Sequence, residues 1–331
     1  MNRRLNLLTA LALIAVLAVP LFAVDSAAAQ DSASPIAVPA PHLPVTVKDI
    51  NGQNVTVTDI SRIVPLSGDI AEIIYDLGLQ KNVIGVDVSA TYPPHAWDGL
   101  PQVGFERNLA AEGILALQPT VVIGKSTAGP AAVLDQIRAA GIPVVIIDDP
   151  QNLTAPAAKI RAVAAALGVT DAGAALAQTT QAAIDGETAK AASATSPKPT
   201  VLFLYVRTGI QLVGGAGSVA DSVIEAAGGV DGGTKAGIQG FMPVSAELIA
   251  AAAPDYIIVP ASGLASIGGM DALLKLPGIA GSPAARAGRI LAIDDEVLLG
   301  FTPRTNETIR DLAALLHPEL AEGTPVATPA T

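Results

Sequence analysis

The stretch Arg62–Gly78, "RIVPLSGDIAEIIYDLG", decides the fold. Its opening "RIVPL" is a short apolar run that reads as a buried strand, and "GDIAEIIYDLG" reads as a helix that stops at Gly78. The next apolar run, "NVIGVDV" (Asn82–Val88), reads as a second strand. The chain then keeps this rhythm, with "AAEGILALQ" as helix, "TVVIG" as strand, "AAVLDQIRAAG" as helix and "PVVIID" as strand. Strand and helix in strict alternation predict a parallel sheet of α/β type. Before it, "VTVKDINGQNVTVT" (Val45–Thr58) alternates apolar and polar residues around Asn51-Gly52, the signal of a tight hairpin.

Further along, Asn152–Ala194 is rich in alanine and nearly free of strand formers, which predicts a long helical connection. After "TSPKP" the alternation resumes with "TVLFLYV", "SVADSVIEAAGG", "AELIAAAAP", "DYIIVP" and "ILAID". The second half echoes the first. Ala111-Glu112 leads to Pro119 and "TVVI", and Ala246-Glu247 leads to Pro254 and "DYIIV", with the proline seven residues after the glutamate each time. A repeat of this size predicts two similar lobes with a ligand cleft between them.

The 331 residues include no cysteine, are 50% hydrophobic and carry a net charge of -11. That length exceeds what one core usually serves. The acidity repels phosphate backbones and no Lys/Arg run exceeds two, which excludes nucleic acid as a partner. Residues 1–29 read as a secretory signal, with Arg3 and Arg4, an apolar run from Leu5 to Val24 and a small-residue site at Ala27–Ala29. The apolar run is also long enough to serve as an uncleaved anchor. Export follows, and the lack of cysteine argues against a lipoprotein. Residues 30–44, "QDSASPIAVPAPHLP", read as a disordered leader and residues 319–331 as a disordered tail. Between them the domains are read as an N-terminal lobe at 45–150, a connecting helical segment at 151–195 and a C-terminal lobe at 196–318.

Few residues offer chemistry. Tyr92, in "ATYPP", lies past a strand's carboxyl end, where open α/β sheets bind ligands. It is either a turn tyrosine or a phenolate ligand to ferric iron. His95 is the one histidine near the expected cleft, since His42 stands in the leader and His317 near the end, so a polyhistidine metal site is excluded. Ser67 lacks a nucleophile-elbow context and nothing assembles a catalytic triad. "GAGSVA" (Gly215–Ala220) fits a dinucleotide fingerprint but lacks the acidic residue expected about 20 positions on. Glu112 and Glu247 each open a helix, where a carboxylate complements the dipole, and a matched exposed pair would also suit docking onto a partner's arginines.

Taken together, "VIGVDVSATYPPHAW", "LPQVGFERNLAAEGILALQPTVVIG", "AGPAAVLDQIRAAGIPVVII" and "LLGFTPRTNETIRDLA" resemble the haemin-binding periplasmic proteins of bacterial haem ABC importers. These are part of a cluster that also carries cobalamin and ferric siderophores. The resemblance implies two Rossmann-like lobes with parallel sheets joined by a long helix, and a monomeric, non-enzymatic carrier of haem. It implies Tyr92 as axial ligand to the haem iron and Glu112 and Glu247 as docking points for a permease with its ATPase subunits. His95, Arg207, Phe241 and Met242 are the further candidates around the haem, with Ile238 as apolar cover. Arg207 is read as a partner for a propionate or for an ionised Tyr92, and Tyr205, Arg207 and Met242 as what the far lobe offers the iron. The alternatives are a cobalamin or ferric-siderophore carrier, and an exported enzyme using a nucleotide at "GAGSVA".

Overall fold

The computed structural model describes residues 40–321; the signal segment, residues 30–39 of the leader and residues 322–331 of the tail lie outside the described residues. The first elements, β1 (Val45–Lys48) and β2 (Asn54–Val57), pair antiparallel with Val45 opposite Val57. Their connection is longer than a two-residue turn. Asp49, buried beneath it, accepts hydrogen bonds from the amides of Asn51 and Gln53 at 2.9 Å each, and Gly52 takes a φ of 77°.

The N-terminal lobe follows with β3 (Ile63–Pro65), α1 (Gly68–Asp76), β4 (Gly104–Phe105), β5 (Asn108–Leu109), α2 (Ala111–Ala116), β6 (Val121–Lys125), α3 (Ala131–Ala139) and β7 (Val144–Ile147). Strands β3, β6 and β7 form a parallel sheet in that order, and every residue in them is buried. Burial on both faces is why these strands are continuous apolar runs without alternation. Asn82–Val88 departs from expectation. It touches the lobe through two isolated bridges, Ile63 with Val83 and Val86 with Gln102, because a 3-10 turn at Gln80–Asn82 leads in and the Asp87 carboxylate then captures the Ser89 amide at 2.7 Å.

Helices α4 (Ala155–Ala166) and α5 (Thr170–Ala192) carry the chain across. The 23 residues of α5 span about 35 Å at 1.5 Å each. Gly173 sets how close the two helices lie: a Cβ there would stand 2.1 Å from the Cβ of Ala164.

The C-terminal lobe comprises β8 (Thr200–Arg207), β9 (Ile210–Gly214), α6 (Val219–Ala226), β10 (Val230–Asp231), α7 (Gly232–Lys235), β11 (Phe241–Pro243), α8 (Ala246–Ala252) and β12 (Tyr256–Pro260). After these come α9 (Ala261–Ser266), α10 (Met270–Leu273), α11 (Pro283–Arg286), β13 (Ile290–Ile293), α12 (Asp295–Leu299) and α13 (Thr305–Leu316). Its sheet runs β11-β9-β8-β12-β13, with β10 also on β8. Strands β10, β12 and β13 continue the parallel pattern, but β9 and β11 add antiparallel edges. The cause is the two-residue link Thr208-Gly209, where Gly209 at φ 79° lets the chain double back as a hairpin.

The expected leader and tail are held at their inner ends. His42 donates its amide to the Gly168 carbonyl at 2.8 Å and Leu43 packs on the first lobe's core; Glu319 accepts from the Ser196 amide at 3.0 Å and Leu320 packs on the second.

A buried ionic hub fastens the connection to the first lobe. Lys159 of α4, fully buried, places Nζ 2.6 Å from Asp69 and 3.3 Å from Asp149 and donates to the Gly300 carbonyl. Lys125, at the carboxyl end of β6, lies 3.4 Å from Asp69, 3.6 Å from Glu106 and 3.9 Å from Asp149. Burial works against ionising Asp69, yet the two ammonium groups and hydrogen bonds from Lys159 and Ser67 outweigh it and hold the carboxyl well below the usual range. Removing one partner strands the others in a dry interior. Lys159→Ala is therefore expected to cost about 3–5 kcal/mol and to lower the melting temperature by about 10 °C in a thermal circular-dichroism scan.

Candidate ligand site

On the first lobe Tyr92 stands half-buried after the irregular segment that replaces the expected strand. Its backbone carbonyl accepts a hydrogen bond from the Trp97 indole at 2.9 Å, and Trp97, itself buried, meets Tyr75 edge-on at 6.1 Å. The guanidinium of Arg304 lies over the Tyr92 ring, 3.5 Å from its centroid. Arg304 in turn makes a two-pronged pair with the buried Glu72 of α1, at 3.0 and 2.9 Å. Burial raises the Tyr92 phenol above its ordinary value; Arg304 pulls it down, and the carboxylates of Glu307, Glu72 and Asp76 push it up again. Glu72 is raised by burial against the pull of Arg304.

On the second lobe Tyr205 and Arg207 end β8. Arg207 donates to the Tyr205 hydroxyl at 3.2 Å, to Ser262 at 3.0 Å and to Asp295 at 2.6 Å. Phe241, on the edge strand β11, packs edge-on against Phe203 and Tyr205 at 6.2 Å each while leaving 45% of its surface exposed, and the neighbouring Met242 is 44% exposed. Such apolar exposure on an edge strand is what a flat hydrophobic ligand would cover.

Residues 294–304 join the two tyrosines. Asp295 holds Arg207, Arg304 covers Tyr92, and between them Glu296 enters the hub of the first lobe, while Leu298 and Phe301 stay in the second lobe's core. Gly68 permits that entry, since a Cβ there would meet the Ser89 carbonyl oxygen at 2.4 Å and the Glu296 carboxyl carbon at 2.9 Å. Burial, with Asp69 close by, pushes the Glu296 carboxyl up to about 8 against the pull of Lys125.

The periplasmic binding protein family matches residues 63–297. The chain belongs to that family. Among solved structures, the haem-binding protein RhuT from Roseiflexus sp. RS-1, in apo form, is 49% identical with a TM-score of 0.76 over 79% of this chain and 100% of that one. The haem-binding protein HmuT is 35% identical with a TM-score of 0.77 over 84% of this chain and 91% of that one. Other HmuT structures are single-residue variants at a histidine, at a tyrosine and at an arginine two positions beyond that tyrosine. Among curated relatives, the ABC transporter substrate-binding lipoprotein YvrC of Bacillus subtilis is 24% identical over 83% of this chain and 86% of its own length. A vitamin B12-binding protein of Vibrio campbellii is 36% identical over 25% of this chain and 30% of its own.

The periplasmic binding protein thus brings together Tyr205, Arg207 and Phe241, with Met242 beside them, but leaves other expected residues elsewhere. His95 is on an exposed turn with φ 67°, its Nδ1 3.0 Å from Asp98. Ile238 is 1% exposed and packs in the second lobe's core, so it is no cover for a ligand. The arginine at Tyr92 is Arg304 and not Arg207, whose donors are committed to Tyr205, Ser262 and Asp295. Glu112 and Glu247 are exposed in the first turns of α2 and α8. In the "GAGSVA" loop, a Cβ on Gly215 would stand 2.5 Å from the Ile238 carbonyl oxygen, so that glycine serves close packing, while Gly217 takes a φ of 77° and donates its amide to Asp221. Among the described residues no group of three His, Cys, Asp or Glu is arranged to hold a metal ion.

Glu296 gives the joint a pH dependence with a definite sign. Its ordinary value is 4.5 and its folded value about 8, so between these the folded molecule keeps a proton that the unfolded chain has released. Stability therefore declines as pH rises through that window. Asp76, raised to about 7 by burial and Glu72, and Asp87, raised to about 6 by burial, act in the same direction. Asp69 acts oppositely, losing its stabilisation only as pH falls below 3.8. The melting temperature is expected to drop as pH rises from about 4.5 to about 8 in the wild type and to drop less in Glu296→Gln, which should melt above the wild type at the alkaline end of that window.

Proposed function

We propose that this periplasmic binding protein is an exported, non-enzymatic carrier that takes up haem between its lobes, with Tyr92 as the anionic ligand of the ferric iron. The observation that carries the reading is Tyr92 itself: a half-buried phenol beyond the sheet's carboxyl end, its carbonyl pinned by Trp97 and its ring backed by Arg304. An oxygen anion suits ferric iron, and tyrosine is an established axial ligand type for haem. The resemblance to RhuT and HmuT over most of the chain supports the same ligand class.

On the far wall Tyr205 is the residue best suited to a second approach to the iron. Its hydroxyl already takes a hydrogen bond from Arg207, and the tyrosine–arginine spacing of two is the one altered in the HmuT variants. Phe241 and Met242 supply apolar area for the macrocycle. Glu112 and Glu247, one per lobe on matched helices, fit docking points for the arginines of a membrane permease that works with cytoplasmic ATPase subunits. The likeness to a transporter's substrate-binding lipoprotein supports that partner, and the absence of cysteine argues that this chain is exported without a lipid-modified cysteine.

Titrating the purified protein with haemin should give a saturable Soret band with high-spin ferric features, and Tyr92→Phe should lose or shift it; a titration matching free haemin would turn the reading to cobalamin or a ferric siderophore. Reversing charge at both Glu112 and Glu247 should abolish stimulation of the reconstituted transporter's ATPase while leaving haemin affinity within about twofold, because neither side chain lies near the tyrosines' partners.

A further inference from the structure

Arg304 precedes α13, whose Ile309, Leu312 and Leu316 are buried in the core of the second lobe. Its side chain nevertheless reaches the first lobe, stacking on Tyr92 and pairing with Glu72. At 3.5 Å from the centroid the guanidinium carbon is in contact with the ring, so a planar cation covers one of its faces. The arginine is fixed there from two sides. Both prongs of its fork engage Glu72, which is 1% exposed, and its backbone amide donates to the Thr302 hydroxyl at 3.1 Å. A guanidinium held this way has a definite plane, and the tyrosine ring packs against it at contact distance.

With one ring face covered by Arg304, and the Tyr92 carbonyl tied to Trp97, the side chain has its hydroxyl and its remaining face to offer a ligand. We propose that Arg304 is the positioning residue for Tyr92, supplied by the opposite lobe and held in plane by Glu72, so that the iron-binding oxygen is aimed only while residues 300–304 are seated against the first lobe. The inference rests on the reading of Tyr92 as the iron ligand. It assigns Arg304 to the tyrosine and not to the ligand's carboxylates, because its fork is already occupied by a buried carboxylate.

The test uses the full chain titrated with haemin, reading affinity from the Soret band and the phenolate–iron bond from resonance Raman spectra. Arg304→Ala is expected to weaken binding about tenfold and to lose or broaden the phenolate–iron signature while haem is still bound. Arg304→Lys should fail to restore the signature, since an ammonium has neither the plane nor the fork. Glu72→Gln keeps the size of the side chain but removes the charge and replaces one of the two accepting oxygens with an NH2 donor, so that only one prong of the Arg304 fork stays paired; it is expected to show the same spectral change at a smaller loss of affinity, and it carries the test if Arg304→Ala does not fold. Wild-type affinity and an intact phenolate signature in Arg304→Ala, or in both Arg304→Lys and Glu72→Gln, would overturn the positioning role. If Tyr92→Phe also retains both, the ligand reading itself has failed; if Tyr92→Phe alone loses them, that reading survives without Arg304.

Discussion

Two lysine ammonium groups buried among carboxylates form the constraint on which the rest of the molecule depends. Lys159 and Lys125 sit where α1, the end of β6 and the start of the helical connection converge, and Asp69, Glu106 and Asp149 surround them. Desolvating such charges costs several kcal/mol each, and only close, multiple pairing offsets it. The geometry that provides the pairing is therefore narrowly defined. Two cations already face three carboxylates, so a fourth carboxyl, that of Glu296, enters as the protonated acid. The same lysine that closes the hub also grips the Gly300 carbonyl, which belongs to the second lobe's segment. A large hinge motion would have to expose Lys159 or break its bonds.

That segment, residues 294–304, is where stability and recognition meet. One end, at Asp295, orients Arg207 and through it the Tyr205 hydroxyl; the other places Arg304 against Tyr92. Its middle is anchored twice, by Glu296 in the hub and by Leu298 and Phe301 in the second lobe's core. Each lobe thus presents a tyrosine backed by an arginine, and both arginines are steadied by the same short stretch. The acidic side chains of α1 at positions 69, 72 and 76 are its counterpart, since Asp69 meets the hub, Glu72 meets Arg304, and Asp76 is raised by burial and by Glu72.

Much of the architecture was legible in the order of apolar runs, because a strand buried on both faces has no alternative but continuous hydrophobicity. The antiparallel edge β9–β11 was missed, although Thr208-Gly209 between two apolar stretches is the hairpin signal that marks it. Asn82–Val88 misled for the opposite reason: its composition suits a strand, but Asp87 captures the local amides and ends the pairing. At the site, Tyr92 stood out by its place past the carboxyl end of an apolar run in the alternation. Arg304 did not, because its partners are 212 and 232 residues away in sequence and no local pattern links them. Lys159 was the readable clue that went unread, a lone lysine inside the alanine-rich run of α4 where nothing on a solvated face is needed to explain it. Its partner lies 90 residues earlier.

The charge distribution also says what kind of binding these walls favour. The chain carries a net charge of -11, and the two arginines nearest the tyrosines are each matched by a carboxylate, Arg207 by Asp295 and Arg304 by Glu72. Neither is left as an open cation for an anionic ligand to capture. What remains uncommitted is apolar: the exposed parts of Phe241 and Met242 on the far wall, and the face of Tyr92 turned away from Arg304. A ligand held here gains little from long-range attraction, which the acidic surface opposes, and most from covering flat hydrophobic area and from one directional bond to an oxygen atom whose position is fixed in advance. On the proposed reading, fixing that oxygen falls to Arg304, whose charge is matched by the protein's own Glu72.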